Sequence, residues 1–409
     1  MKRFSLRVAV AFLTFVVGIG LSAVWIAALS EPGSGQVKPL VNPPPVVVER
    51  KASDRPVLEM VFVIDTTGSM SGLIDGAKRR VWGIVNEAMQ SPSRPSVRIG
   101  LVAYRDLGDA YVTQVLPLTE DLDKVYSTLM DYRAEGGGDG PENVRRALAE
   151  GVSRAGWTEQ RKGGANLAQI LFLVGDAPPH DDYQDEPDTL KTTQQAVLKG
   201  MIVNTIQCGE QADTRQVWQQ IARRGEGRYF AIAQDGGVQT IESPYDGRLA
   251  ELGTKLGSTF TAYGGGAGPA GDEFRATATT RQAEAETKFA AAAPVTANAD
   301  RAVNKVLNMS AYSGDLLQSI ENGSTKLESV KDDDLPSDLR KLSPDARKQE
   351  IEKRLAERRK LRAEIVTLSK QRDEYVAAER KKLSGNKQDG FDAAVSSALK
   401  EQMARKGLK

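Results

Sequence analysis

Between Val57 and about Tyr263, short apolar runs alternate with stretches whose apolar residues recur every three or four positions. Leu58–Ile64 (LEMVFVI), Val97–Tyr104 (VRIGLVAY), Tyr111–Leu118, Ala168–Gly175 (AQILFLVG), Met201–Gln207 and Gly227–Ala233 have the length and bulk of strands. Leu73, Ala77, Val81, Ile84, Val85 and Ala88 fall on one helical face. Helices are also predicted over Leu122–Tyr132, Asn143–Ala155, Leu190–Leu198, Arg215–Arg224 and Leu249–Phe260. This alternation predicts an α/β domain over 57–263, a doubly wound, mostly parallel sheet with helices on both faces, Rossmann-like in outline. Such sheets bind ligands beyond the carboxyl ends of their strands, where the strand order reverses.

The flanking segments have a different pattern. Lys2, Arg3 and Arg7 precede an uncharged apolar run from Val8 to about Leu29, the form of an export signal. The run approaches the ~20 residues that span a bilayer, so residues 1–30 fit either a cleaved signal peptide or an uncleaved signal anchor. Either way the basic residues stay in the cytoplasm and everything after Glu31 is exported. Residues 31–56, with Pro43-Pro44-Pro45, predict an extended Pro-rich spacer. Residues 264–340 are rich in Gly, Ala and Thr at first and predict a linker with short helices. Residues 341–409 predict a charged helical tail. Its dense charge favours a solvated helix or short helical hairpin. Arg354, Arg358 and Arg372 at would-be seam positions argue against a long coiled coil. Phe391–Ala404 predicts a short amphipathic helix.

Composition removes several functional classes. The 409 residues carry 55 Lys and Arg against 54 Asp and Glu, a net charge of +1, which argues against a generally basic nucleic-acid binder. One cysteine, Cys208, and one histidine, His180, exclude a disulfide framework within one chain and a zinc site built from Cys/His sets. A metal site is then expected to be made of oxygen ligands, which points to Mg²⁺, Mn²⁺ or Ca²⁺. The chain has neither a Gly-x-Ser-x-Gly elbow nor a phosphate-cradling Gly-x-x-x-x-Gly-Lys-Ser/Thr loop. Cys208 ends an apolar strand and reads as a small buried hydrophobe. His180 reads as a surface-loop histidine, with a rim role near a metal as the other reading.

Three loops carry the candidate chemistry. The first strand runs into Asp65-Thr66-Thr67-Gly68-Ser69, which offers one carboxylate and two hydroxyls, from Asp65, Thr67 and Ser69, beside a helix start. Glu135-Gly136-Gly137-Gly138-Asp139-Gly140-Pro141-Glu142 precedes another helix, and Asp139 would add an oxygen. The buried strand 168–175 runs into Asp176, which matches Asp65 in position. All three loops could place hard oxygen donors on one edge of the sheet.

These segments, in this order, resemble the von Willebrand factor type A domain and its metal-ion-dependent adhesion site, over about 56–263. The family's Asp-x-Ser-x-Ser reads here Asp65-x-Thr67-x-Ser69, and its third-loop Asp corresponds to Asp176. Most members have Thr where Asp139 stands, and the Gly-Gly-Gly-Asp-Gly-Pro-Glu version looks like the hemicentin and alpha-kinase-associated branch. The resemblance implies that Asp65, Thr67, Ser69, Asp139 and Asp176 hold a divalent cation, Mg²⁺ first and Mn²⁺ or Ca²⁺ next. A third carboxylate, from Asp139, would bind the ion more tightly and leave it a weaker Lewis acid; the alternative is that Asp139 reaches the ion through water. The implied function is metal-dependent protein recognition rather than catalysis, with an acidic residue of the partner completing the metal shell. Together with the N-terminal segment, this predicts an adhesion role in a bacterial envelope, periplasmic or at the cell surface, with membrane attachment through residues 8–29 if they are not cleaved. Two alternatives stand beside it: a hydrolase whose metal activates water, and a structural envelope protein acting through its helical tail.

Overall fold

The computed structural model describes residues 56–89, 91, 93, 95–159, 166–232, 241–308, 311, 312, 314–383 and 390–408, all within one compact unit. The expected signal or anchor and all of the Pro-rich spacer but Pro56 lie outside them. Among the described residues no helix is long and apolar enough to cross a membrane.

Strands β1 (Val57–Asp65), β2 (Ser96–Tyr104), β3 (Thr113–Thr119), β4 (Leu167–Gly175), β5 (Ile202–Cys208) and β6 (Glu226–Ile232) form one sheet in the order β3-β2-β1-β4-β5-β6. Only β3 is antiparallel to its neighbour. The chain moves from β1 to β2 on one side and later to β4 on the other, so the switch point lies at the carboxyl ends of β1 and β4. Alternation along β1 sorts its side chains between two cores. Leu58, Met60, Phe62 and Ile64 pack with Ala77, Val81 and Val85 of α1 (Ile74–Met89) and with Val125 and Leu129 of α2 (Leu122–Asp131). Val61 and Val63 pack on the other face with Leu148 of α3 (Val144–Ser153), Ala196 of α4 (Thr189–Leu198) and Trp218 of α5 (Ala212–Arg224). Each large aliphatic side chain buried this way stabilises the fold by roughly 1.5–3 kcal/mol. Asp121, Asn143 and Asp188 cap α2, α3 and α4 through their side-chain oxygens, about 1 kcal/mol each.

Helix α6 (Asp246–Gly257) closes the predicted domain, and among the described residues six more α-helices follow: α7 (Gly268–Ala292), α8 (Val295–Leu307), α9 (Leu316–Glu321), α10 (Ser337–Arg340), α11 (Pro344–Leu383) and α12 (Gly390–Arg405). Two features differ from expectation. Where a linker with short helices is expected, α7 runs for 25 residues. Its Phe289 is buried edge-on against Tyr126, which packs in turn on Trp82. Where a solvated helix or hairpin is expected, α11 is one 40-residue helix that buries Ile351, Leu355, Arg358 and Ile365. Arg358 is fully buried and paired with Asp315, and Arg372 pairs with Asp246 and Asp300. Helix α12 adds Val395, Leu399 and Met403 to the α1-side core.

Candidate metal centre

Asp65 ends β1 and Asp176 follows β4, so the parallel pairing of the two strands brings their carboxylates together. Thr67 donates from both its amide and its hydroxyl to Asp65 Oδ1, at 2.9 and 2.6 Å. Its hydroxyl lies 3.1 Å from Ser69 Oγ, and Ser69 donates to Asp176 Oδ1 at 2.9 Å. A short 3₁₀ turn, Gly68–Met70, separates these residues from α1, so the expected helix start is displaced to Ile74. Gly175 allows the close approach: a Cβ there would lie 2.9 Å from Asp65 Cβ and 2.5 Å from Tyr104 Oη.

The glycine loop is laid along the first loop. Gly68 donates to Gly136 O at 2.9 Å and Glu135 donates to Thr66 O at 3.0 Å. Gly136 and Gly137 both have φ +75°, a conformation that costs glycine least. The Gly137 amide donates to Asp109, 2.9 Å to Oδ2.

Four of the five expected ligands, Asp65, Thr67, Ser69 and Asp176, are thus joined in one hydrogen-bonded chain. Asp139 has other company: its Oδ1 lies 3.4 Å from His180 Nε2, and its side chain is 61% exposed. The carboxylate that joins the four is Glu142, which the motif reading did not single out. A Cβ on Gly137 would lie 2.9 Å from Glu142 Oε1 and 3.2 Å from Thr67 Cβ, so these three residues are packed together. Only its place in the same glycine-rich loop could have marked it. The backbone holds Glu142 inward, its amide donating to Pro178 O and its carbonyl accepting from His180 N.

Asp65 Oδ2 and Glu142 Oε2 are buried and have no hydrogen-bond partner among the described residues. Burial, and then the Asp176 charge, push the Asp65 carboxyl up to about 7. Burial, and then Asp65, push Glu142 up to about 9. Burial also raises Asp176. Among the described residues no protein cation pairs with these carboxylates, and the cluster's donors are all oxygens, so the residues fit a hard divalent cation.

His180 is not on the surface, as expected from the sequence, but buried. Its ring stacks on Tyr183 at 4.0 Å and its Nδ1 lies 2.8 Å from Asp182 Oδ1. Cys208 is buried, as its apolar strand predicts, and burial pushes its thiol up.

Residues 59–244 match the family model described as von Willebrand factor A domain. The chain carries a von Willebrand factor A domain. Over 93 residues it is 39% identical to the mouse (Mus musculus) von Willebrand factor A domain-containing protein 7 and 38% identical to the human (Homo sapiens) protein. Each match covers 23% of this chain and 10% of the relative, so the chain spans about a tenth of the length of the curated relatives it matches. Among solved structures it is similar to the conserved hypothetical protein BatB from Bacteroides thetaiotaomicron, with 16% identity, a TM-score of 0.33, and coverage of 43% of this chain and 90% of that one. It is also similar to the pilus adhesin SpaC from Lactobacillus rhamnosus GG, with 15% identity, a TM-score of 0.34, and coverage of 46% and 29%. Von Willebrand factor A domains commonly mediate protein–protein interaction or adhesion, and often bind a divalent metal.

Proposed function

We propose that the protein recognises a protein partner through a divalent cation held by Asp65, Thr67, Ser69, Asp176 and Glu142, with Mg²⁺ the first fit and Mn²⁺ or Ca²⁺ the next. The observation that carries this is the pair of buried carboxylate oxygens, Asp65 Oδ2 and Glu142 Oε2, that have no hydrogen-bond partner among the described residues. Once bound, the cation would present an open coordination position to an acidic side chain of the partner. The chain's own groups prepare the place. Thr67 fixes Asp65 Oδ1 and leaves Oδ2 free. Ser69 fixes Asp176 Oδ1 across the switch point. The glycines at 136 and 137 let the second loop bring Glu142 against Thr67. We place this recognition in a bacterial envelope because Lys2, Arg3 and Arg7 precede the apolar run from Val8 to Leu29. The role is one of binding rather than turnover.

Calorimetric titration of Mg²⁺, Mn²⁺ and Ca²⁺ into the full chain tests the reading, with Asp65→Ala and Glu142→Gln beside it. Binding by the wild type and its loss in both variants is the expected result. Wild-type binding that survives both substitutions would overturn it.

A further inference from the structure

Beside the first cluster stands a second one, built from three loops. Asp106 follows β2, Asp139 lies in the glycine loop, and His180 follows β4; one ligand atom from each lies within 4.8 Å of the others. We propose that Asp106, Asp139 and His180 form a second divalent-cation site, of the mixed nitrogen–oxygen kind that suits Zn²⁺ or Mn²⁺. One histidine cannot build a site from histidines and cysteines alone, but it supplies the nitrogen of a mixed set.

The arrangement around the cluster orients its members toward a common point. Asp182 is a carboxylate and can only accept, so His180 Nδ1 carries the hydrogen in their 2.8 Å contact. In the neutral ring Nε2 is then a lone pair, the tautomer a metal requires, and a carboxylate behind the ring is the support that metal-binding histidines commonly have. Tyr183 stacks on the imidazole and donates from its hydroxyl to Asp106 Oδ2 at 2.7 Å, so one residue fixes both ligands. His180 and Asp106 are each only 6% exposed. Yet His180 Nε2 and Asp106 Oδ1 have no hydrogen-bond partner among the described residues.

An imidazolium held by the acidic groups alone accounts for this less well. Nε2 stands 3.4 Å from Asp106 Oδ2 and 3.4 Å from Asp139 Oδ1, too far for good hydrogen bonds. That distance is the ligand-to-ligand spacing around a tetrahedral ion with bonds of about 2.1 Å. Asp139 is the exposed member, so the ion would have a route in and, with three protein ligands, a position left for water. The site does not depend on the Mg²⁺ reading, since it shares none of that cluster's five side chains.

The test uses the metal-stripped full chain and Co²⁺, whose visible absorption is far stronger at a four-coordinate site than at a six-coordinate one. The wild type should develop the intense band. His180→Ala and Asp139→Asn should each weaken the binding that produces it by about tenfold or more, while Mg²⁺ binding by calorimetry is unchanged. Asp139 is exposed, so its substitution leaves folding out of the question. Asp65→Ala should keep the band. The proposal is overturned if the wild type shows no intense band, if the band survives both His180→Ala and Asp139→Asn, or if Asp65→Ala abolishes it as fully as His180→Ala, which would mean one merged site.

Discussion

Asp123 and Asp65 are both buried aspartates, and the protein answers their burial in opposite ways. Around Asp123, Arg301 donates to both carboxylate oxygens, at 2.8 and 2.7 Å, and to Glu286 at 2.7 Å, with Lys305 completing the group. Burial pushes Asp123 up, but Lys305 and Arg301 more than reverse this and hold it below the usual carboxylate range. Around Asp65 the neighbours are hydroxyls and more carboxylates, and its pKa rises to about 7. The first cluster neutralises itself and joins α2 to α7 and α8. The second is left with charge that an ion from solution can answer. A buried acid marks a binding site only where the fold withholds the matching cation.

The sharpest way to break this comparison is to remove the cation from the neutralised cluster. Arg301→Met should destabilise the protein by about 3–5 kcal/mol, because it leaves the two buried acids Asp123 and Glu286 with one cation, Lys305, and the neutral Gln282 amide. Urea denaturation measures it, and a loss below about 1 kcal/mol would show that the cluster does not depend on its arginine.

The pH dependence of the metal-free chain comes next. Asp65 is raised from 3.8 to about 7 and Glu142 from 4.5 to about 9. The native state therefore binds more protons than the unfolded state across that window, and stability falls as pH rises. Between pH 5 and pH 8 the metal-free chain should lose about 2 kcal/mol or more, and saturating Mg²⁺ should remove most of that loss. Denaturation midpoints at the two pH values, with and without Mg²⁺, decide the sign.

Asp65→Asn should separate function from stability. Mg²⁺ affinity should fall more than about tenfold, worth about 1.4 kcal/mol, while the metal-free chain becomes no less stable. Calorimetry and a thermal melt on the same sample read both. The smallest effect is expected at Lys288, which pairs with Asp131 across the same helices but with both side chains about half exposed. Lys288→Ala should change stability by no more than about 0.5 kcal/mol, and a larger loss in urea denaturation would show that exposure does not separate this pair from Arg301.

What could be read from the sequence follows the same division. Continuous apolar runs such as Leu58–Ile64 belong to a sheet covered on both faces, and they mark β1, β2 and β4 almost to the residue. Asp65, Thr67, Ser69 and Asp176 were legible because each stands at a strand end, where chain direction alone places it. Glu142 and Asp106 were not, and His180 only through the alternative of a rim role near a metal, because no local pattern says which loop side chain points inward. The C-terminal helices were misread for a different reason. Dense charge reads as a solvated helix, with Arg358 and Arg372 as obstacles to packing, whereas the fold buries or half-buries them with Asp315 and Asp246 as partners, as it buries Arg301 with Asp123. Helix α7 has no apolar stripe, and its only fully packed aromatic, Phe289, sits near its end.

The direction of β1 has a mechanical consequence. Val57, at its amino end, donates to Asn166 O, and Gly407 packs on the same asparagine. Asp65 is eight residues further on, roughly 26 Å away along the strand. Tension between residue 56 and a partner gripped at Asp65 would run along a strand paired in parallel with β2 on one side and β4 on the other. The hydrogen bonds of both ladders would then be strained together in shear, instead of opening one after another from an end, which is the orientation in which a sheet yields last.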